Sequence, residues 1–199
     1  IYGQDKIYEI PSIIVNVDVC DDGSLTVNEL VTIHFVSGTF SYFYRYIPFK
    51  GLSYIRFISV SAENVTLSDY DVRYRLSDVL VKLFFDKVSG PATATFSLNY
   101  KVYGAVFLGS ELQNEIDWNA VGAGWDVGIK HVNVVLSLPR NFVDDPLLDW
   151  SPEPKSIYFN GKSTVFSFDY ENLPAKHGYR VIVAFPKICL LYTSPSPRD

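Results

Sequence analysis

Alternation of apolar and polar residues at period two across residues 13–35 constrains this chain more than any other feature. Ile13, Val15, Val17 and Val19 share one side of an extended backbone, and Asn16 and Asp18 take the other. Asp21-Asp22-Gly23-Ser24 follows, an Asp-Gly turn between two alternating runs, which is a strong hairpin signal. The returning run sets Leu25, Val27, Val31, Ile33 and Phe35 against Thr26, Asn28, Thr32 and His34. This pattern predicts a long antiparallel hairpin with one apolar face.

Strand-like runs continue at Phe40–Ile47, Tyr54–Val60, Asp71–Leu76, Val79–Phe85 and Ala92–Val102. Others fall at Val132–Leu138, Ser156–Phe159, Thr164–Phe168 and Tyr179–Phe185, with Gly, Pro, Asn or Ser in almost every gap. One segment, Glu111 to Ala120, has helical spacing through Leu112, Ile116 and Ala120, although Glu111 and Glu115 would repel on that helix. Pro139 to Pro154 reads as an irregular loop over one end of the fold, with Phe142, Leu147, Leu148 and Trp150 seeking burial. Many short strands with frequent turns predict an all-β fold: a mainly antiparallel two-sheet β-sandwich, immunoglobulin-like or jelly-roll-like, with little helix.

Composition narrows the function classes. Fourteen Tyr, 14 Phe and 3 Trp with a net charge of −5 exclude a disordered chain. Lys and Arg total 17 against 22 acids, and they are scattered, so no nucleic-acid footprint is present. No apolar run reaches the roughly 18 residues that span a bilayer as a helix. The chain starts at Ile1 and contains no methionine, which leads to the expectation that an N-terminal piece, such as a signal peptide, has been removed. Residues Cys189 to Asp199 resemble a translated sequencing adaptor, so 189–199 are expected to be a non-native, unpacked tail and 1–188 one β-sandwich domain. Setting the tail aside leaves Cys20 and no internal disulfide.

Two groups of motifs carry a resemblance. The first is Val15 to Val19, then Asp22 to Glu29, Phe35, and Tyr44-Arg45-Tyr46-Ile47-Pro48. The second is Tyr100 to Val106, Glu115 to Gly122, Trp125-Asp126-Val127 and Leu136 to Pro139. In this order they resemble the extracytoplasmic N-terminal domain of predicted membrane proteins called domain of unknown function 2207, over most of residues 7–188. The sequence departs from that pattern at Gly128, where a proline would be expected. The resemblance implies a signal peptide, a β-rich domain outside the membrane, and one or more transmembrane helices beyond this fragment. It therefore implies a place at the cell membrane, on the extracytoplasmic side, and supplies no chemistry.

The candidate site residues are Trp118, Asn119, Trp125 and Asp126, in an unusual stretch that also holds Gly122 and Gly124. Exposed tryptophans there could stack on a sugar or anchor a protein; buried, they would pin a sheet corner, with the glycines supplying positive φ. Glu111, Glu115, Asp117 and Asp126 could supply a glycosidase-like pair, which needs two carboxyls about 5–9.5 Å apart; the competing reading is a solvated rim of turn-capping acids. Tyr42, Phe43, Tyr44, Tyr46 and Phe49, with Arg45 among them, form either a doubly buried core strand, the favoured reading, or an exposed stripe suited to protein or glycan contact. Asn64-Val65-Thr66 is a glycosylation sequon.

His34, His131 and His177 have no zinc-site spacing; no Gly-x-Ser-x-Gly elbow and no phosphate or dinucleotide loop occurs, so neither a metal nor a cofactor is expected. The sequence thus points to a non-enzymatic ectodomain of a membrane-anchored protein with a protein or glycan ligand. The alternative is a carbohydrate-binding or glycoside-cleaving module using Trp118, Trp125 and the neighbouring acids, and a third reading is a spacer packed on its own membrane region.

Overall fold

The computed structural model describes residues 5–49, 51–108 and 110–187, so the adaptor-like segment 189–199 lies outside the described residues. The first half of the chain forms β1 (Ile7–Val19), β2 (Leu25–Ser37), β3 (Thr39–Pro48), β4 (Tyr54–Glu63), β5 (Leu67–Tyr74), β6 (Asp78–Ser89) and β7 (Ala92–Tyr103). The second half forms β8 (Val106–Leu108), β9 (Gln113–Val121), β10 (Ile129–Pro139), β11 (Asp149–Ser151), β12 (Ser156–Phe159), β13 (Ser163–Leu173) and β14 (Tyr179–Pro186). The all-β class is as expected.

The strands make three sheets. Seven form the largest, ordered β12-β13-β10-β1-β2-β7-β4; the others are β11-β14-β9-β8 and β3-β6-β5. β1 and β10 run parallel, and the remaining strand pairs are antiparallel. The opening hairpin forms as its alternation requires: Ile13, Val15, Val17, Val27, Val31 and Ile33 are buried. Its turn closes through Gly23 N–H donating to Cys20 O at 2.9 Å and Ser24 N–H donating to Asp22 Oδ1 at 3.0 Å, with Gly23 at φ +75°. Pro11 falls in a register shift between Glu9 and Ser12, where a missing N–H breaks no ladder.

The outer face of the large sheet is a polar ladder. Asn28 Nδ2 donates to Asn99 Oδ1 and Ser97 Oγ, both at 2.9 Å, and the Thr32 and Thr95 hydroxyls meet at 3.2 Å. The inner face carries the smaller sheets, as the ring contacts between layers record: Phe35–Phe85, Phe43–Phe96 and Phe85–Phe96 toward β3-β6-β5, and Trp150–Phe166 toward β11. One continuous cluster of buried residues fills the space between. The second layer is thus two separate sheets rather than one.

Three local expectations are corrected. Glu111–Ala120 contains no helix; it is mostly β9, with Asn114, Ile116, Trp118 and Ala120 inward and Glu115, Asp117 and Asn119 on the other face. A spacing of four residues is also two periods of a strand, so Leu112, Ile116 and Ala120 fit either element, and Leu112 is in fact exposed. The segment from Pro139 to Pro154 is not wholly irregular, because Asp149–Ser151 pairs with β14. The aromatic strand β3 is buried on one face only. A bulge between Phe40 and Tyr42 shifts its phase, so that Phe43, Arg45 and Ile47 point inward and Tyr42, Tyr44 and Tyr46 outward.

Candidate functional site

The alternation of β2 has one exception: among Leu25, Val27, Val31, Ile33 and Phe35 on the inward face stands Glu29, fully buried. A lone carboxylate there would be expensive, and it is not alone. Arg45 reaches it from β3 with Nε–Oε2 at 2.7 Å and Nη2–Oε1 at 2.8 Å, and its Nη1 donates to Tyr46 O. The Tyr100 hydroxyl of β7 donates to Glu29 Oε1. Burial works against the Arg45 charge, but the Glu29 carboxylate outweighs that penalty and raises its pKa. Burial, reinforced by Glu29, pushes the Tyr100 phenol well above its ordinary value, so it remains a donor. The network joins β2, β3 and β7, and so ties the small sheet to the large one.

Trp125 caps this network from the loop between β9 and β10. Its ring stacks on Phe43 at 5.8 Å, and the Arg45 guanidinium lies 5.5 Å from its centroid. Trp125 is 5% exposed and Trp118, on the inward face of β9, 2%. Neither offers a face to a sugar, which removes the stacking on which the carbohydrate alternative depends. Gly122 and Gly124 do not take positive φ. Gly122 instead permits close approach, since a Cβ there would lie 2.8 Å from Pro48 Cγ.

The four proposed site residues divide between two places. Trp118 and Asn119 border a polar hollow of about 500 Å³ beside Asp117 and Arg180. Trp125 and Asp126 border an apolar groove of about 250 Å³ with Tyr8, Phe35, Phe40, Tyr42, Phe43 and Tyr44. Of the four acids, Asp117 takes a two-bond fork from Arg180, Asp126 takes an ion pair from Lys176, Glu115 shares the outward face of β9 with Asp117, and Glu111 is exposed in the bend before β9. No group of His, Cys, Asp or Glu that could hold a metal exists among the described residues. Asn64 is exposed in the turn between β4 and β5, with φ +65°.

One exposed aromatic row with a cation among its rings lies on β3 and its neighbour β6. Tyr42 and Tyr44 are exposed and Tyr46 half-buried, with neighbouring rings 5.3 and 6.4 Å apart. Lys82 of β6 places its ammonium 4.6, 5.2 and 4.5 Å from the rings of Tyr42, Tyr44 and Phe84. Sequence reasoning singled out the tyrosines, a contact stripe being one of its two readings, but gave no site role to Lys82, Glu29 or Tyr100. Glu29 had a visible signal, a charge in the apolar phase of a strand; Tyr100 and Lys82 had none.

The family model described as the N-terminal domain of a predicted membrane protein, domain of unknown function 2207, matches residues 9–185, and the chain belongs to that family. No helix among the described residues is long and apolar enough to cross a membrane. No curated protein matches the chain. Among solved structures, an M1 zinc metallopeptidase from Deinococcus radiodurans is similar at 10% identity and a TM-score of 0.54, over 88% of this chain and 42% of that one. Leukotriene A4 hydrolase from Saccharomyces cerevisiae is similar at 11% identity and 0.52, over 92% and 31%. A protein described as nutrient-binding from Legionella pneumophila is similar at 12% identity and 0.52, over 88% and 66%. At such identities the shared property is the fold; the chain spans less than half the length of the two hydrolases.

Proposed function

We propose that this chain is a non-enzymatic, extracytoplasmic domain of a membrane-anchored protein, and that it offers β3 and its flanking groove as a surface for a protein partner. The observation that carries the reading is the outward row Tyr42, Tyr44 and Tyr46 with Lys82 among the rings. Tyrosine combines apolar area with a polar tip and loses little entropy on contact, which is why it is enriched in recognition surfaces. Membership of a predicted membrane protein family supports the anchoring. The pairing of Asp117 and Asp126 with cations supports a binding role over hydrolysis.

The test uses cells carrying the full-length protein. Protease added outside intact cells is expected to cleave the domain; protection until the membrane is opened overturns the extracytoplasmic placement. A photo-crosslinking residue at position 44 is expected to give a discrete adduct, and the same residue at Ser167, on the far side of the large sheet, none. Equal adducts from both positions overturn the assignment of the surface.

A further inference from the structure

β3 is an edge strand, hydrogen-bonded only to β6 within its sheet. The ladder shows which of its backbone groups are used. Phe49 N–H donates to Ser77 O, continuing the register in which Pro48 opposes Asp78, so positions 43, 45 and 47 bond to β6. Positions 42, 44, 46 and 48 therefore turn their backbone groups to the unpaired side. Pro48 has no N–H to offer there, Tyr46 O is taken by Arg45 Nη1, and the bulge at Ser41 ends the regular edge at the other side. Between these stops, the N–H and C=O of Tyr42 and Tyr44 face away from β6, on the side where β3 has no neighbour in its sheet.

The apolar groove follows this open edge. Five of its lining residues come from β3 and none from β6; Tyr8, Ile33 and Phe35 of β1 and β2 form the opposite wall, and Gly124, Trp125 and Asp126 of the loop before β10 close the end beside Tyr46. Edge strands are ordinarily blunted by charge, proline or bulge, and here the blunting brackets a stretch left open. The stretch from Tyr42 to Tyr46 spans roughly 14 Å at 3.4 Å per residue, the length of a short peptide strand.

Charge distinguishes among occupants. Lys6 and Lys82 have no ion-pair partner among the described residues, and their ammonium groups lie 5.7 and 4.6 Å from the Tyr42 ring. The carboxylate in the groove, Asp126, is already paired with Lys176. A second copy of this chain, docked edge to edge, would bring lysines to lysines.

We infer that β3 accepts an extended acidic segment of a partner protein as an added strand, held by the backbone of Tyr42 and Tyr44, seated in the groove and flanked by Lys6 and Lys82. The inference rests on the proposed surface and specifies its ligand.

The probe is a capped, dye-labelled peptide of alternating valine and glutamate, titrated into the whole chain by fluorescence anisotropy. Micromolar binding is expected, at least about tenfold weaker for the lysine counterpart, because the flanking charges are cationic. N-methylation of one alternate set of peptide amides is expected to abolish binding, and of the other set to spare it, since only one set faces β3. Tyr44→Pro, which removes an edge N–H without touching the β6 ladder, is expected to abolish binding, whereas Tyr44→Val retains at least part of it. Equal effects of the two methylated sets, or equal binding of the lysine peptide, overturn strand addition. So does a chain dimer that Tyr44→Pro dissolves, which identifies the occupant as a second copy. No peptide binding alongside position-44 crosslinking overturns this inference and leaves the surface in place.

Discussion

Two arginine–carboxylate forks in this molecule share one geometry and differ in setting. Arg45–Glu29 is 2% and 0% exposed; Arg180–Asp117 is 59% and 27% exposed. The first lies between sheets, where each charge has lost its water and depends on the other. The second joins two neighbouring strands of one sheet in contact with solvent, where water can replace either partner. The same pair of side chains is therefore a requirement of the fold in one place and an optional contact in the other.

Removing one partner separates the two most clearly. Arg45→Ala is expected to cost about 3–5 kcal/mol by urea denaturation, because Glu29 is left charged and buried. Replacing both partners by apolar residues of similar volume, Glu29→Leu with Arg45→Met, is expected to recover most of that loss. A cost below about 1 kcal/mol for the single change would erase the distinction from a surface pair.

Tyr100→Phe is expected to cost about 1–3 kcal/mol, the penalty for an unanswered buried acceptor. It also changes the alkaline behaviour. The folded pKa of Tyr100 is raised well above 10.0, so the contribution of the neutral phenol is complete below that value and lost as pH rises past it. Urea midpoints between pH 9 and 11 are expected to fall in the parent chain and to fall less in Tyr100→Phe; identical slopes would remove Tyr100 from the alkaline limb.

Arg180→Ala is expected to change stability by no more than about 1 kcal/mol, and less at high salt. Tyr42→Ser with Tyr44→Ser, on the outward face of β3, is expected to shift stability least, about 0.5 kcal/mol per site by urea denaturation. A loss as large as that of Arg45→Ala would make the tyrosine row part of the core.

How much was legible in advance follows from what kind of interaction each element uses. The opening hairpin was readable because period two and the Asp-Gly turn are local, although β1 begins six residues before the alternation at Ile13. β9 was misread because its spacing satisfies two periods at once; the third even-numbered residue, Trp118, tips the balance to a strand only when counted with Asn114 and Ile116. β8 and β11, three residues each, exist because β9 and β14 present edges to them, and such pairing has no local signal. Trp118 and Trp125 stand close together in the sequence yet border different hollows, and which side of a strand or loop faces solvent depends on what packs opposite. For Trp125 that is Phe43 and Arg45, about eighty residues earlier.

By itself the sequence determined the all-β class, the opening hairpin and the family, since each depends on short-range periodicity, turn chemistry or ordered motifs. The tertiary structure alone decided that Glu29, Arg45 and Tyr100 meet, that the second layer splits into two sheets, and that β3 keeps an open edge between its bulge and Pro48. These depend on contacts between strands far apart in the chain, and burial is a property of the partner surface as much as of the residue.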